Sequence, residues 1–535
     1  MKTMKKLMTL VLSIAMVLAM SVTAFADDAT TSTYKITVKN ATDGHTYEAY
    51  QIFKGDLSDN ILSNVTWGDG ITEDGKVKFG DAAQKAETLA EDKSANAAAT
   101  FAKEVAEYLT NNGVQGKYDS TKGEYTISGL TPGYYLVKDS FTKDAQKDDF
   151  ISAYIMQVVK NVEVEPKGDK PSVEKKVKEN VKGVTGNEYG DGYNDVADYN
   201  IGDAVPFHLI GRVPDMSGYD SYKYIFTDTL SSGLTAPKKA EEVKVYLSSD
   251  KKKDDSDVEI SYNESTNPNG FKVTITGQTI TVESTKLNGI AGVMKDKYII
   301  VEYSAVLNQN AVIGLSGNEN KVDLKYSNNP NGDGIGKTPE DKVIVFTYEL
   351  DATKVDGGAD ETKTLAGAKF KLLRKNSDGS EQYAKFDTAN KVIGWGVEEE
   401  ATELVSDENG KFGAIGLDDG TYYLRETLAP SGYNLLKEDI EIKVKATTVN
   451  NQSWDGDPKN ALTKLEVDVK VNNKTTTTGS DENRGVVKVT VENNQGSTLP
   501  STGGMGTTIF YVVGTILVLA AAVLLITKKR MHADK

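Results

Sequence analysis

The chain has 535 residues, 78 of them acidic against 62 basic, and a formal net charge of −16. That balance excludes nucleic-acid binding, which needs basic surface against phosphate, and instead favours solubility. There is no cysteine and there are three histidines, His45, His208 and His532, which rules out disulfides, a Cys/His zinc centre and a cysteine nucleophile.

In chain order, residues 1–26 have a basic start (Lys2, Lys5, Lys6), an apolar run over 7–20 and small residues at Ala24 and Ala26. This is the pattern of a secretory signal peptide cleaved between Ala26 and Asp27. From there to the C-terminal signal lie roughly 470 residues, enough for about three domains. Short runs alternate apolar and polar residues, as at 34–38, 271–275 and 487–491, between Gly, Asn and Asp turns. Such period-two runs, rich in β-branched residues, predict strands. Residues 82–109, rich in Ala, Glu and Lys and lacking Gly and Pro before Leu109, predict a helix. The fold class is therefore mainly β, with tandem immunoglobulin-like β-sandwich domains, the first with an added helix.

A Pro/Gly linker at 165–171 and a polar loop at 328–339 divide the interior into domains 27–167, 168–343 and 344–498. Residues 127–139 and 415–427 echo one another, so the first and third domains are expected to share a strand–turn–strand element. At the C-terminus, Leu499, Pro500, Ser501, Thr502 and Gly503 precede an apolar run over 509–526 and the basic residues Lys528, Lys529 and Arg530. The run is just long enough to cross a bilayer, with its basic end left inside.

In a half-buried strand, residues two apart share a face. Lys354 has the parity of Phe346, Tyr348, Leu350 and Ala352; Glu426 that of Tyr422 and Leu424; Asn493 that of Val487, Val489 and Val491. In the preceding domain Lys175 lies between Val173 and Val177, Asp228 follows Tyr224 and Phe226, and Asn320 precedes Val322 and Leu324. Lys176 falls with Glu174 and Lys178 on the other face. Each domain thus offers one lysine, one acid and one asparagine to its core. An unpaired buried charge is costly, and burial lowers a lysine's pKa while raising a carboxyl's. The outcome is a neutral, nucleophilic amine beside a protonated acid that can hydrogen-bond and polarise the asparagine carbonyl. The predicted product is a Lys–Asn isopeptide bond with loss of ammonia: Lys175–Asn320 assisted by Asp228, and Lys354–Asn493 assisted by Glu426.

With these residues in view, the chain resembles the backbone (major) subunit of sortase-assembled Gram-positive pili over essentially its whole length. The 499–503 pentapeptide, span and basic tail resemble a sortase sorting signal, which implies attack on the Thr502 carbonyl and release of the part beginning at Gly503. Residues 422–433 resemble the E-box of a collagen-adhesin B-type domain, with Glu426 as its glutamate. Residues 228–234 and 320–330 resemble segments of the family's A-type middle domain. Residues 162–167 resemble the pilin motif, which makes Lys167 the inter-subunit nucleophile. Glu165 stands where the family often has an aromatic, and Lys160 and Lys170 stay open as alternatives. In the first domain Lys138 occupies the place of Glu426, so no internal bond is expected there.

The resemblance implies an exported, cell-wall-anchored fibre subunit, with partners in a pilin-class sortase, neighbouring copies of itself, other pilins, peptidoglycan and host or environmental ligands. The alternative is an LPXTG-anchored adhesin or an ancillary tip or basal pilin. A surface hydrolase is disfavoured by the lack of Gly-x-Ser-x-Gly, His-Glu-x-x-His and any cysteine. No metal or cofactor is predicted, the Asn/Asp-rich loop at 377–380 being read as a solvated turn.

Overall fold

A computed structural model describes residues 33–58, 61–91, 96–141, 149–152, 154–158, 160–166, 168–180, 185–358, 363–449, 452, 454–471, 474–481, 485–496 and 505–531. The signal peptide, Lys167 and the sorting motif at 499–503 lie outside the described residues.

The strands fall into three successive groups. In the first, a four-stranded sheet carries Tyr34–Val38 between Glu124–Leu130 and Val162–Val164, and a five-stranded sheet is built around His45–Ser58 and Gly133–Phe141. Alternate residues of the two sheets, Ile36, Val38, Tyr47, Tyr125, Ile127 and Val164, close one small core. A second core forms where helices cover the other sheet, with Phe101 and Val105 packed beside Phe53, Ile52 and Leu136. The single predicted helix is two, Ala82–Glu91 and Asn96–Val105, preceded by a third, Glu73–Phe79, that Thr72 caps by accepting from the Gly75 N–H.

The second group is a sandwich of two seven-stranded sheets. Val173–Lys178, Ala204–Arg212 and Tyr298–Leu307 face Tyr224–Leu230, Thr279–Ser284, Asn318–Ser327 and Asp341–Phe346 across Phe207, Leu209, Val301, Phe226, Val282 and Leu324. The third group is one eleven-stranded sheet, in which Tyr348–Asp356 pairs in parallel with Val486–Asn493.

Only Thr347 separates Asp341–Phe346 from Tyr348–Asp356, and the apolar core runs unbroken from the second group into the third. The joint is polar as well. Tyr348 donates to Asp198 (2.8 Å), Tyr422 to Asn200 Oδ1 (2.9 Å), and the Ile201 N–H to the Gly416 carbonyl (2.9 Å). The first group meets the second through residues 149–152 and the loop at 328–331. Beyond all three, Met505–Met531 is a helix whose stretch Thr508–Arg530 is long and apolar enough to cross a membrane.

Candidate functional site

Lys354 opens the third domain's site from the first strand, and Asn493 closes it from the last. These strands are parallel neighbours with Lys354 opposite Val491 and Asp356 opposite Asn493, so the longer lysine reaches forward to the amide. Lys354 and Asn493 are fully buried, and Glu426 nearly so. The Lys354 ammonium nitrogen donates to Asn493 Oδ1 and, at 3.2 Å, to the Val491 carbonyl. Glu426 Oε1 lies 4.0 Å from Nζ. Asn493 Nδ2 donates to Glu426 Oε2 (3.1 Å) and to the Asn434 carbonyl (2.8 Å), which orients the amide with its oxygen toward lysine. The Leu436 N–H steadies the same carboxylate oxygen at 2.8 Å. Burial pulls the lysine down to about 8 against the raising influence of Glu426 and Glu492.

In the second domain, Lys175, Asp228 and Asn320 are all fully buried. Lys175 stands on one sheet, Asp228 and Asn320 on the other, with Leu230 opposite Asn320 in register. Lys175 donates to Asp228 Oδ1, and Tyr303 donates to Asp228 Oδ2. Asn320 Nδ2 donates to the Tyr303 hydroxyl at 2.7 Å, and Lys175 Nζ lies 3.3 Å from that hydroxyl. Asn320 Oδ1 is buried with no hydrogen-bond partner among the described residues. The rings of Phe207 and Tyr303 enclose the lysine nitrogen at 5.3 and 5.6 Å. Desolvation dominates here. It lowers the Lys175 pKa and raises that of Asp228, against their mutual attraction.

The structure therefore brings the members of each group together, but in arrangements other than the expected one. The acid does not polarise the asparagine carbonyl. Glu426 holds the amide nitrogen, and Asp228 reaches Asn320 through Tyr303. Tyr303 was missed, although its parity with Ile299, Val301 and Ala305 marks it as inward-facing. Lys176 also departs from the sequence reading. It is buried and paired with Asp195 at 2.5 Å, because Tyr189 folds over the face that period-two alternation assigns to solvent.

In the first domain Lys138 is half-buried opposite Glu48, while its neighbour Asp139 is buried against His45 at 2.8 Å. Lys170 lies 3.8 Å from Asp149, and Lys160 is exposed. Asp378 accepts from the Ser380 N–H within its own turn.

Three family descriptions match the chain. Residues 201–330 match a Gram-positive pilin backbone subunit 2, Cna-B-like domain; 349–458 match SpaA, a prealbumin-like fold domain; and 491–532 match the LPXTG cell wall anchor motif. The first description is Cna-B-like, where the sequence reading expects A-type segments at 228–234 and 320–330. The trypsin-resistant surface T6 protein of Streptococcus pyogenes serotype M6 is 28% identical over 284 residues, 43% of this chain and 48% of its own. The chain thus spans about half the length of the curated relative it matches. The solved T6 backbone pilin of serotype M6 Streptococcus pyogenes aligns with 89% of this chain and 100% of its own, at 18% identity and TM-score 0.52, a likeness of fold. The full-length major pilin SpaD from Corynebacterium diphtheriae aligns with 88% of this chain and 99% of its own, at 16% identity and TM-score 0.47.

Proposed function

We propose that this chain, whose domains match the Gram-positive pilin backbone, prealbumin-like and LPXTG anchor families, is the structural backbone subunit of a covalent cell-surface pilus. The observation that carries this reading is the pair of buried lysine, acid and asparagine groups, one in each domain that follows the linker. None of the three matching descriptions is that of an enzyme family.

Within each of these two domains burial lowers the lysine's pKa and so raises the share of neutral amine, and that amine attacks the asparagine Cγ. The C–N bond to the side-chain nitrogen breaks, the acid delivers a proton to it, and ammonia leaves. Glu426 contacts the leaving nitrogen of Asn493 directly. Asp228 does so through the Tyr303 hydroxyl, which touches both partners. The acid takes up the amine's proton as it gives up its own, so it ends as it began. Between subunits, a pilin-class sortase forms an acyl enzyme at Thr502 and releases residues from 503 onward. The Lys167 amine of the next copy then resolves it to an amide. The final acceptor is peptidoglycan.

Intact mass of the recombinant exported portion tests the internal step. The expected value is two ammonia losses below the sequence mass, with tryptic cross-links joining Lys175 to Asn320 and Lys354 to Asn493. A full sequence mass would remove the mechanism. For the polymer, boiled wall extracts should give a high-mass ladder that collapses with Lys167→Ala. A single wall-linked band in the wild type would mark an anchored adhesin instead.

A further inference from the structure

The chain on both sides of Lys167 is held. Before it, Val162–Val164 pairs in parallel with Tyr34–Val38, and Glu165 accepts from Asn40 Nδ2 at 2.7 Å. After it, Gly168 lies under the Phe150 ring so closely that a Cβ on Gly168 would fall 2.1 Å from Phe150 Cδ2. Asp169 is gripped by Arg212 through two parallel hydrogen bonds of 2.7 and 2.8 Å, and Arg212 also donates to the Lys170 carbonyl at 2.7 Å. A bidentate guanidinium–carboxylate pair fixes orientation as well as distance.

Phe150 is itself fixed by its neighbours. The Asp149 carbonyl accepts from Asn328 Nδ2 (2.9 Å), the Ile151 N–H donates to the Asn328 carbonyl (2.6 Å), and the Ser152 carbonyl accepts from Asn331 Nδ2 (3.1 Å). On its other side this strap is tied into the first domain, where the Ser152 N–H donates to Asp139 Oδ2 at 2.7 Å.

From this geometry we infer that Phe150 and the Arg212–Asp169 pair are positioning residues for the inter-subunit linkage: together they clamp the backbone just after Lys167 and set where its amine is presented. The inference rests on the reading of Lys167 as nucleophile. A nucleophile on an untethered linker would sample many orientations before meeting the acyl enzyme. Fixing the chain at 165, 168 and 169 removes most of that search, and small displacements of a reacting group cost large factors in rate.

The test separates a chain's two duties, accepting an acyl group at Lys167 and donating its own Thr502. Tagged full-length chains carrying Thr502→Ala, expressed beside the wild type in the native host, enter the ladder only as acceptors. In this background Arg212→Asp, Asp169→Arg and Phe150→Ala are each expected to lower the tagged fraction by about tenfold. The swap Arg212→Asp with Asp169→Arg should restore it. With Thr502 intact, wall attachment of the same variants should match wild type, which a general folding defect would not allow. Undiminished acceptance by the single variants, a swap that rescues nothing, or equal loss of donation would each overturn the clamp. If Lys167→Ala abolishes acceptance while the clamp variants accept normally, the clamp alone fails. If Lys167→Ala still accepts, the nucleophile reading fails and the clamp with it.

Discussion

Tyr303 is the residue on which the second site turns, because its hydroxyl is the only described link between the acid and the amide it must serve. Tyr303→Phe keeps the ring that packs on Phe207 but removes the relay. The expected result is a folded chain whose mass sits one ammonia higher than wild type, with the Lys354–Asn493 cross-link unaffected; full cross-linking at Lys175 would show the hydroxyl to be dispensable. Parity exposed Lys175, Asp228, Asn320, Lys354, Glu426 and Asn493, because each interrupts an apolar face. It did not expose Tyr303, since an aromatic on such a face looks like ordinary core, nor Tyr189, which lies in a turn outside any strand, nor His45 with Asp139, whose pairing joins strands far apart in sequence. That pair yields a pH prediction. Burial opposes charge on His45, but Asp139 at 2.8 Å and the Asp149 carboxylate at 3.9 Å outweigh it and raise the imidazole from 6.5 to about 9. For Asp149, burial is likewise outweighed, by His45, the Phe150 N–H, Lys170 and Thr42, and its pKa falls to about 2. The other polar group facing the ring's backbone is the Tyr125 hydroxyl, which accepts from the His45 N–H. A raised histidine stabilises fully below its unfolded value and loses that contribution as pH climbs through about 9. A lowered aspartate stabilises above its unfolded value and loses it as pH falls toward about 2. First-domain stability should therefore be flat between about pH 4 and 6.5 and decline by about 2 kcal/mol toward pH 10, after discounting for partial solvation. Thermal unfolding across that range checks this, and His45→Gln should remove the alkaline decline.

Among the elements, the C-terminal end of the strand Lys411–Leu417 helps to join the second and third domains, through the Gly416 carbonyl that accepts from the Ile201 N–H. Gly416 adopts φ of +97°, and a Cβ there would meet Ile201 Cδ1 at 2.5 Å, so both conformation and space exclude a side chain. Gly416→Val should lose about 2–4 kcal/mol from strain and overpacking together, and should open the joint to protease before either domain unfolds. Wild-type stability and wild-type cleavage kinetics would count against that role. Most strands were legible, because alternation and turn residues are local signals. The split of the predicted helix was not, since Ala, Glu and Lys dominate 82–109 and the cap-type residues Asp92, Ser94 and Asn96 were read through as helix. The short helix Glu73–Phe79 was also hidden, being about two turns long with a glycine inside it and Val77 exposed, so that its evidence is mainly its Thr72 cap. The joint between domains left no sequence trace beyond the glycine and the tyrosines at 348 and 422.

At the scale of the whole molecule, the placement of the proposed bonds follows the proposed path of load. Tension entering at Lys167 and leaving at Thr502 bypasses residues 34–164, the strand group in which His45 and Asp139 are buried together and no lysine–acid–asparagine trio stands among the described residues. Along the path, a Lys175–Asn320 bond closes the chain between those residues, and a Lys354–Asn493 bond closes the next 139 positions. By analogy with disulfides, loops of this length stabilise by about 5 kcal/mol each, in a model-dependent way. Between the two bonds lies the segment from Asn320 to Lys354, including the strand Asp341–Phe346, which is held without a covalent tie, by its pairing with Asn318–Ser327 and Val196–Asp198, by core packing, by the Lys175 N–H on Asp341 and by the joint. Pulling single molecules from Lys167 and the C-terminus should therefore release no whole domain. It should give at most one short step, bounded by the extended length of that stretch at about 120 Å. Asn493→Ala should add a second, much longer step of roughly 480 Å as the third domain comes apart, while Asn493 left intact and Asn320→Ala should lengthen the first step instead. Domain-sized steps in the wild type would mean that the load runs through the hydrogen-bonded sheets, and that the buried lysines serve some other end.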